Sequence, residues 1–321
     1  MNKLILSASL AGLFLAASPA SADEIAIALH VEPSNTMYKV AEKMKATIEA
    51  KSGGNYTVAL LGLEVGGERD QVEATSTGEY QIVLGGSVPM SVYAPEYAAA
   101  DLPFVWSSSA EAAAVYEGSR GEEIQAKLAS NGNLRLVGLS VRNPRNLTSK
   151  KPVTSPADLA GARIRVPQIP SWIQIWSAVG ALPSPIAWPE VYTSLQTGVI
   201  EMQENPVDNI ASGKLYEVQT HVNRTQHVYS FYHWLANNEW FNGLSEADRA
   251  MVQSAADEAF AWGDEQTANG EAAVSADLEA KGMTFVDVDS AAFRAKAEPA
   301  IREIAKSYAP GVRDYVLSKL K

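Results

Sequence analysis

From residue 24 onward the apolar positions change period in a regular order. "EIAIAL" (24–29) is a short Ile-rich run that reads as a strand. Residues 38–51 then carry Val40, Ala41, Met44 and Ile48 at three- and four-residue spacing, the period of a helix with one apolar face, and "SGG" (52–54) ends it. "YTVALLG" (56–62) is a second strand. "VGGERDQVEATSTG" (65–78) opens on a Gly pair and continues as a helix with Gly78 as its C-cap. "YQIVLGGS" (80–87) is a third strand. Strand and helix alternate, which predicts an α/β lobe built on a parallel sheet.

Beyond it, "DLPFVW" (101–106) leads into a Ser triplet and an Ala/Glu-rich helix (110–130), and "LRLVGLS" (134–140) is a further strand. "NPRNLTSKKPVTSPADLAG" (143–161) is polar and proline-rich and reads as a crossing into a second lobe. There "ARIRVP" (162–167) is a strand, "PSWIQIWSAVG" (170–180) and "EVYTSLQTG" (190–198) are helices, and "VIEMQENP" (199–206) is a strand with its exit. Residues 245–282 form the longest uninterrupted segment. It opens with Ser245 and Asp248 in capping-box spacing, holds no proline, and at about 1.5 Å per residue approaches 55 Å, long enough to brace two lobes. The tail (290–320) reads as helices. The expected division is residues 23–143 plus about 236–265 for lobe I, and 144–235 plus about 266–321 for lobe II.

Residues 1–22 stand apart. Lys3 precedes the apolar run "LILSASLAGLFLAA", and "ASA" at 20–22 places small residues where a signal peptidase reads. The run is shorter than the roughly 20 residues a membrane span needs. We therefore expect a secretory signal peptide cleaved after Ala22 and a periplasmic mature protein beginning at Asp23. Loss of Lys3 takes the net charge from −11 to −12, which disfavours nucleic acid and anionic lipid as partners. With 0 Cys there is neither a disulfide framework nor a thiolate metal site. The four His, at 30, 221, 227 and 233, show no metal-ligand spacing, and there is no G-x-S-x-G or H-E-x-x-H, so no cofactor is expected and an exported hydrolase has little support.

Against that acidic background, "ARIRVP" poses a question. A charge among β-branched residues is costly without water or a partner. Arg165 lies at the strand's carboxyl end, where ligands of open α/β sheets bind. Its planar, two-pronged guanidinium matches a carboxylate. A structural ion pair with Glu190 or Glu201 is the competing reading. By the same strand-end argument, His30 and Asn35 after the first strand, Glu68 after the Gly pair, and Gly86 and Ser87 after the third are cleft-facing candidates, although each also fits a cap or turn, Glu68 as a first-turn helix acid above all. His233 and Trp234, in a stretch expected to cross back between lobes, are candidate upper walls. Trp172 and Trp176, four apart on a helix, read as packing.

Taken in order, "DLPFVW", "RNLTSKKPV", "SPADLAGARIRVP" and "LPSPIAWPEVYTSLQTGVIEMQENP" resemble the periplasmic solute-binding subunits of tripartite ATP-independent periplasmic (TRAP) transporters, the DctP type. The likeness spans nearly the whole mature chain, and the block from Pro156 to Pro206 is its most specific part. It implies an α/β, two-lobe periplasmic binding protein (type II-like) with a ligand cleft between the lobes and a long helix bracing both. It implies a binding protein and not an enzyme, with a small organic acid as ligand, TRAP membrane permease subunits as partners, and a monomeric state. By the same resemblance Arg165 pairs with the ligand carboxylate, Arg145 is a second contact, Asn205 is a third, and Trp188 lies along the ligand. The chain departs from the common pattern in Glu201–Met202 before "QENP", in Trp at 188, in Arg163 where Lys is common, and in "RNPRNLT", where Arg142 competes with Arg145. The favoured ligand is a hydroxylated monocarboxylate such as a sugar acid. The same chemistry would serve a subunit that presents its ligand to a membrane sensor.

Overall fold

A computed structural model describes residues 22–320. The expected signal peptide, apart from Ala22, lies outside the described residues. The strands are β1 (Asp23–Leu29), β2 (Tyr56–Leu61), β3 (Ile82–Gly85), β4 (Leu134–Val141), β5 (Arg145–Ser149), β6 (Arg163–Val166), β7 (Leu182–Pro185), β8 (Gln203–Asn205), β9 (His221–Val228), β10 (Phe231–Asn237) and β11 (Thr284–Val286).

The first sheet runs β2-β1-β3-β10-β4. β1 is parallel to both β2 and β3, as the strand–helix alternation predicts. β10 enters antiparallel between β3 and β4. All seven residues of β10 are buried, because this central strand is covered on both faces. The chain therefore returns to the first sheet through Tyr229 and Ser230, earlier than a boundary near 235 would place it. The second sheet runs β11-β9-β5-β8, and the parallel pair β6–β7 joins it through a bridge between Ile164 and Met202.

Three segments pass between the sheets. Arg142–Pro144 links β4 to β5, Tyr229–Ser230 links β9 to β10, and the Arg142 amide donates to the Ser230 carbonyl at 3.2 Å, tying the two crossings together. The third is the helix Glu246–Ala280, 35 residues long. Its Val252, Ala255, Ala256, Ala259 and Phe260 join the core that β1 and β3 form with the helix Thr36–Lys51. Its far end places Leu278 in the second lobe's core, with Val191, Leu195, Ile200 and Val207. Gly263 breaks nothing. A Cβ there would stand 2.5 Å from Val40 Cγ2, so glycine lets the two helices touch.

The tail forms the helices Ser290–Ala305 and Pro310–Ser318. It lies against both lobes. Phe293 and Ile301 share a cluster with Trp172 and Trp176, while Arg294 donates to the Val105 carbonyl and Tyr315 to that of Glu111.

Candidate functional site

The strand ends converge on the cleft. β1 delivers His30, β3 delivers Gly86 and Ser87, β4 delivers Arg142, β6 carries Arg165 and leads to Pro167, and β8 ends at Asn205. β5 runs antiparallel to β8 and so brings its first residue, Arg145, to the same end. All of these but Gly86, together with Glu68, Trp188 and Asn209, line one cavity of about 30 Å³, and a neighbouring chamber of about 100 Å³ shares Glu68, Arg165, Pro167 and Trp188 with it. Larger hollows exist, one of about 340 Å³ between Ser91, Gln174 and Tyr308, but no cationic side chain lines that one.

Arg165 is 5% exposed. Its amide donates to the Met202 carbonyl at 2.9 Å and its Nε to the Ile186 carbonyl at 2.8 Å, which fixes the side chain along the strand end. Among the described residues neither terminal nitrogen has a hydrogen-bond acceptor, and no carboxylate lies within ion-pair distance. Glu201 pairs instead with Arg163 on the surface, at 3.6 Å. Burial pulls the Arg165 pKa down to about 10, which leaves it charged at neutral pH. Its guanidinium carbon sits 5.9 Å from the Trp188 ring centre.

Arg145 is built differently. It grips Glu204 with both ends of a fork, Nε to Oε2 at 2.5 Å and Nη2 to Oε1 at 2.8 Å, and Nη2 also donates to the Glu204 carbonyl at 2.6 Å. His227 Nε2 donates to the same carboxylate at 3.0 Å, while its Nδ1 contacts the Thr225 hydroxyl. Burial alone would raise the Glu204 pKa, but Arg145 and His227 outweigh it and hold the group at about 2. The positive charge expected at 145 is therefore largely met within the chain.

Arg142, the alternative to Arg145 in "RNPRNLT", makes no ion pair among the described residues. It is buried, its Nε has no hydrogen-bond partner, and its guanidinium lies 4.1 Å above the Tyr232 ring. Burial works to discharge it, and Tyr232, Asp208, Glu68 and Asp101 around it outweigh that and raise its pKa. No signal short of the duplicated Arg in "RNPRNLT" marks this residue, because stacking on Tyr232 joins positions far apart in the chain.

The opposite wall presents acceptors. Glu68 Oε1 takes the amides of Gly86 and Val88 at 2.8 and 2.9 Å, so this acid caps the segment after β3 and not its own helix. Its Oε2 stands 3.9 Å from His30 Nε2, too far for a hydrogen bond. His30 Nδ1 donates to the Leu84 carbonyl at 2.6 Å, and burial lowers the His30 pKa, so the neutral ring turns a bare Nε2 toward the cavity. On the second-lobe side Asn205 donates to Gln203 at 2.7 Å, and Asn209 accepts from Tyr232 at 3.1 Å.

The lobes touch across the mouth. Glu32, in the loop after β1, accepts from Trp188 Nε1 and from Ser212 Oγ, each at 3.0 Å, and Arg69 donates to Gln168 at 3.2 Å.

Seven of the eight sequence-derived candidates, His30, Glu68, Ser87, Arg145, Arg165, Trp188 and Asn205, line this cavity. His233 does not. Its Nδ1 donates to the Gly86 carbonyl and its Nε2 is met by the Tyr116 hydroxyl, so both ring nitrogens are spent behind the wall. Trp234 is likewise core, stacked on Phe260 and bonded to Ser140, and Asn35 caps the helix Thr36–Lys51. The reassignments of His233 and Trp234 follow from β10 lying inside the first sheet.

Residues 27–307 match the DctP model, bacterial extracellular solute-binding protein, family 7. The solute-binding protein RD1_1052 of Roseobacter denitrificans is 38% identical over 291 residues, 89% of each chain. A crystal structure of the TRAP periplasmic solute-binding protein of that name, with bound L-galactonate, superposes with a TM-score of 0.87 at 33% identity, over 94% of this chain and 100% of that one. The ectoine-binding periplasmic protein TeaA of Halomonas elongata is 32% identical over 80% of this chain and 76% of its own length. A Polaromonas TRAP solute-binding protein bound to D-erythronate has a TM-score of 0.85 at 26% identity, over 93% of this chain and 98% of that one.

Proposed function

We propose, for a chain that belongs to family 7 of the bacterial extracellular solute-binding proteins, that it captures a hydroxylated monocarboxylate of the sugar-acid class and delivers it to a TRAP membrane permease. The family is periplasmic and its members are transport subunits, not enzymes. Cleavage after Ala22 would release this chain to the same compartment, and a cleft completed within one chain fits a monomer.

One observation carries the ligand class. Arg165 is buried, held by its Nε, and has no anionic partner among the described residues, so its terminal nitrogens are free to receive a carboxylate in two parallel charge-assisted bonds. The acceptors His30 Nε2 and Glu68 Oε2 favour hydroxyl donors on the remainder of the ligand. The relatives bound to L-galactonate and to D-erythronate support an acyclic hydroxy acid.

Titration calorimetry of the mature protein with aldonates of four to six carbons, matched against the corresponding neutral alditols, tests this reading. A dissociation constant near or below micromolar for an aldonate, with none for its alditol, is expected; about −8 kcal/mol corresponds to micromolar binding. Equal binding of acid and alditol would sink it.

A further inference from the structure

Glu68 and Arg142 meet at one point of the cavity wall. A Cβ placed on Gly86 would stand 3.3 Å from Arg142 Nη1 and 3.3 Å from each Glu68 oxygen, yet the two side chains do not form an ion pair with each other. Glycine at 86 lets this cation and this carboxylate close in on the same part of the wall, so that both face one slot of the cavity. Arg142 offers only donors, while Glu68 Oε2 and the bare His30 Nε2 beside it offer only acceptors. One small group satisfies both sides at once, and that is a hydroxyl, which accepts from the arginine while donating to the carboxylate. A carboxylate in the same slot would meet Arg142 but face Glu68 with like charge and no proton to give.

We infer that Glu68, acting with Arg142, makes this slot of the cleft selective for a hydroxyl and against a second carboxylate. The inference rests on the sugar-acid reading above. It narrows that reading to acids with one carboxylate and a hydroxyl placed to enter the slot, and it assigns the exclusion of diacids to Glu68 facing Arg142. Repulsion of this kind is a usual source of discrimination between ligands of equal size.

The matched probes are an aldonate and the aldarate of the same length and configuration, which differ only in a terminal CH2OH against a carboxylate. The wild-type protein is expected to bind the aldonate about 100-fold more tightly than the aldarate. In Glu68→Gln the aldonate should weaken about tenfold, the aldarate should strengthen, and the ratio should fall below about ten. Glutamine keeps an acceptor for the Gly86 and Val88 amides, so a purely structural role for Glu68 would leave the ratio where it was. Wild-type protein that binds both acids equally, or a Glu68→Gln ratio equal to the wild-type ratio, overturns the inference while leaving the sugar-acid reading intact. Wild-type protein that binds neither acid overturns both. Should Glu68→Gln fail to fold by circular dichroism and thermal melting, Arg142→Gln supplies the second arm. There the aldarate loses the cation of the slot, and the preference for the aldonate should rise; an unchanged or smaller ratio overturns the inference.

Discussion

The two walls of the cleft differ in what they give a ligand. The second-lobe wall and the crossing beside it present donors: Arg165 with its terminal nitrogens free, Arg145 locked to Glu204, and Arg142 stacked on Tyr232. The first-lobe wall presents acceptors, His30 Nε2 and Glu68 Oε2. A similar contrast recurs inside the donor wall. Arg145 and Arg165 are both buried arginines reaching one cavity, but Glu204 neutralises the first and nothing among the described residues neutralises the second. A buried charge met within the chain is part of the fold, and one left unmet is an offer to something outside it.

The largest test removes that offer. Arg165→Ala is expected to weaken the aldonate at least about 100-fold by calorimetry, since truncating one partner of a buried charge pair costs 2–5 kcal/mol. The melting temperature of the ligand-free protein should stay level or rise, because an uncompensated buried charge has gone. A fall in melting temperature with affinity intact would make Arg165 a structural residue after all.

Glu204→Gln should do the reverse. It strands Arg145 and His227 in the interior, and the expected loss is about 3–5 kcal/mol of folding stability, read by denaturant unfolding. The pH dependence follows the same group. Its folded pKa of about 2 lies below the ordinary carboxyl value, so its contribution is complete above about 4.5 and is lost as pH falls toward about 2. The variant should lack that acid-limb loss, and an acid limb identical to wild type would show that Glu204 is not its source.

These contrasts mark how far the sequence could be read. The strand–helix alternation of the first lobe, the long helix and the strand-end position of Arg165 are local patterns, and each is visible in a window of a few residues. Arg165 reads as unusual because a charge sits among Ile and Val close to a proline. The return of the chain through Tyr229 and Ser230 was not legible, because "FYHWLAN" gives no sign that every position is buried between β3 and β4. His233 and Trp234 were misplaced for that reason. The neutralisation of Arg145 was hidden too. Glu204 lies 59 residues away, and antiparallel pairing of β5 with β8 is what brings the two together. Glu32 carries no signal in the sequence because its partners Trp188 and Ser212 belong to the other lobe.

Glu32 offers the next test, smaller than the two above. Its carboxyl joins the lobes, and burial there raises its pKa. Glu32→Ala removes both acceptors and should weaken the aldonate about tenfold, within the range for losing a charge-assisted hydrogen bond. Stopped-flow fluorescence should place the loss in a faster dissociation rate, with association little changed, because the contact forms after the ligand has entered. A slowed association with unchanged dissociation would move Glu32 from closure to entry.

The smallest effect concerns the acceptor wall and the proton. Burial, opposed in part by Glu68 and reinforced by Arg142 and Arg165, holds the His30 pKa below 6.5. From neutral pH upward the ring is therefore neutral, its Nδ1 proton bonded to the Leu84 carbonyl and its Nε2 free to accept a ligand hydroxyl. Protonation below that pKa converts the acceptor into a donor, so a hydroxyl held there by donating its proton loses its partner. Aldonate affinity should be flat from about pH 7 to 8 and fall a few-fold toward pH 5, within the ordinary range for one hydrogen bond. Stability moves the same way. The unfolded chain takes up this proton at a higher pH than the folded one, so the contribution of His30 falls as pH drops below 6.5. His30→Gln keeps an acceptor in reach without a titrating ring. It should retain most of the affinity at pH 7.5 and lose the decline toward pH 5, whereas a decline that survives in His30→Gln would assign the proton to another group on the donor wall.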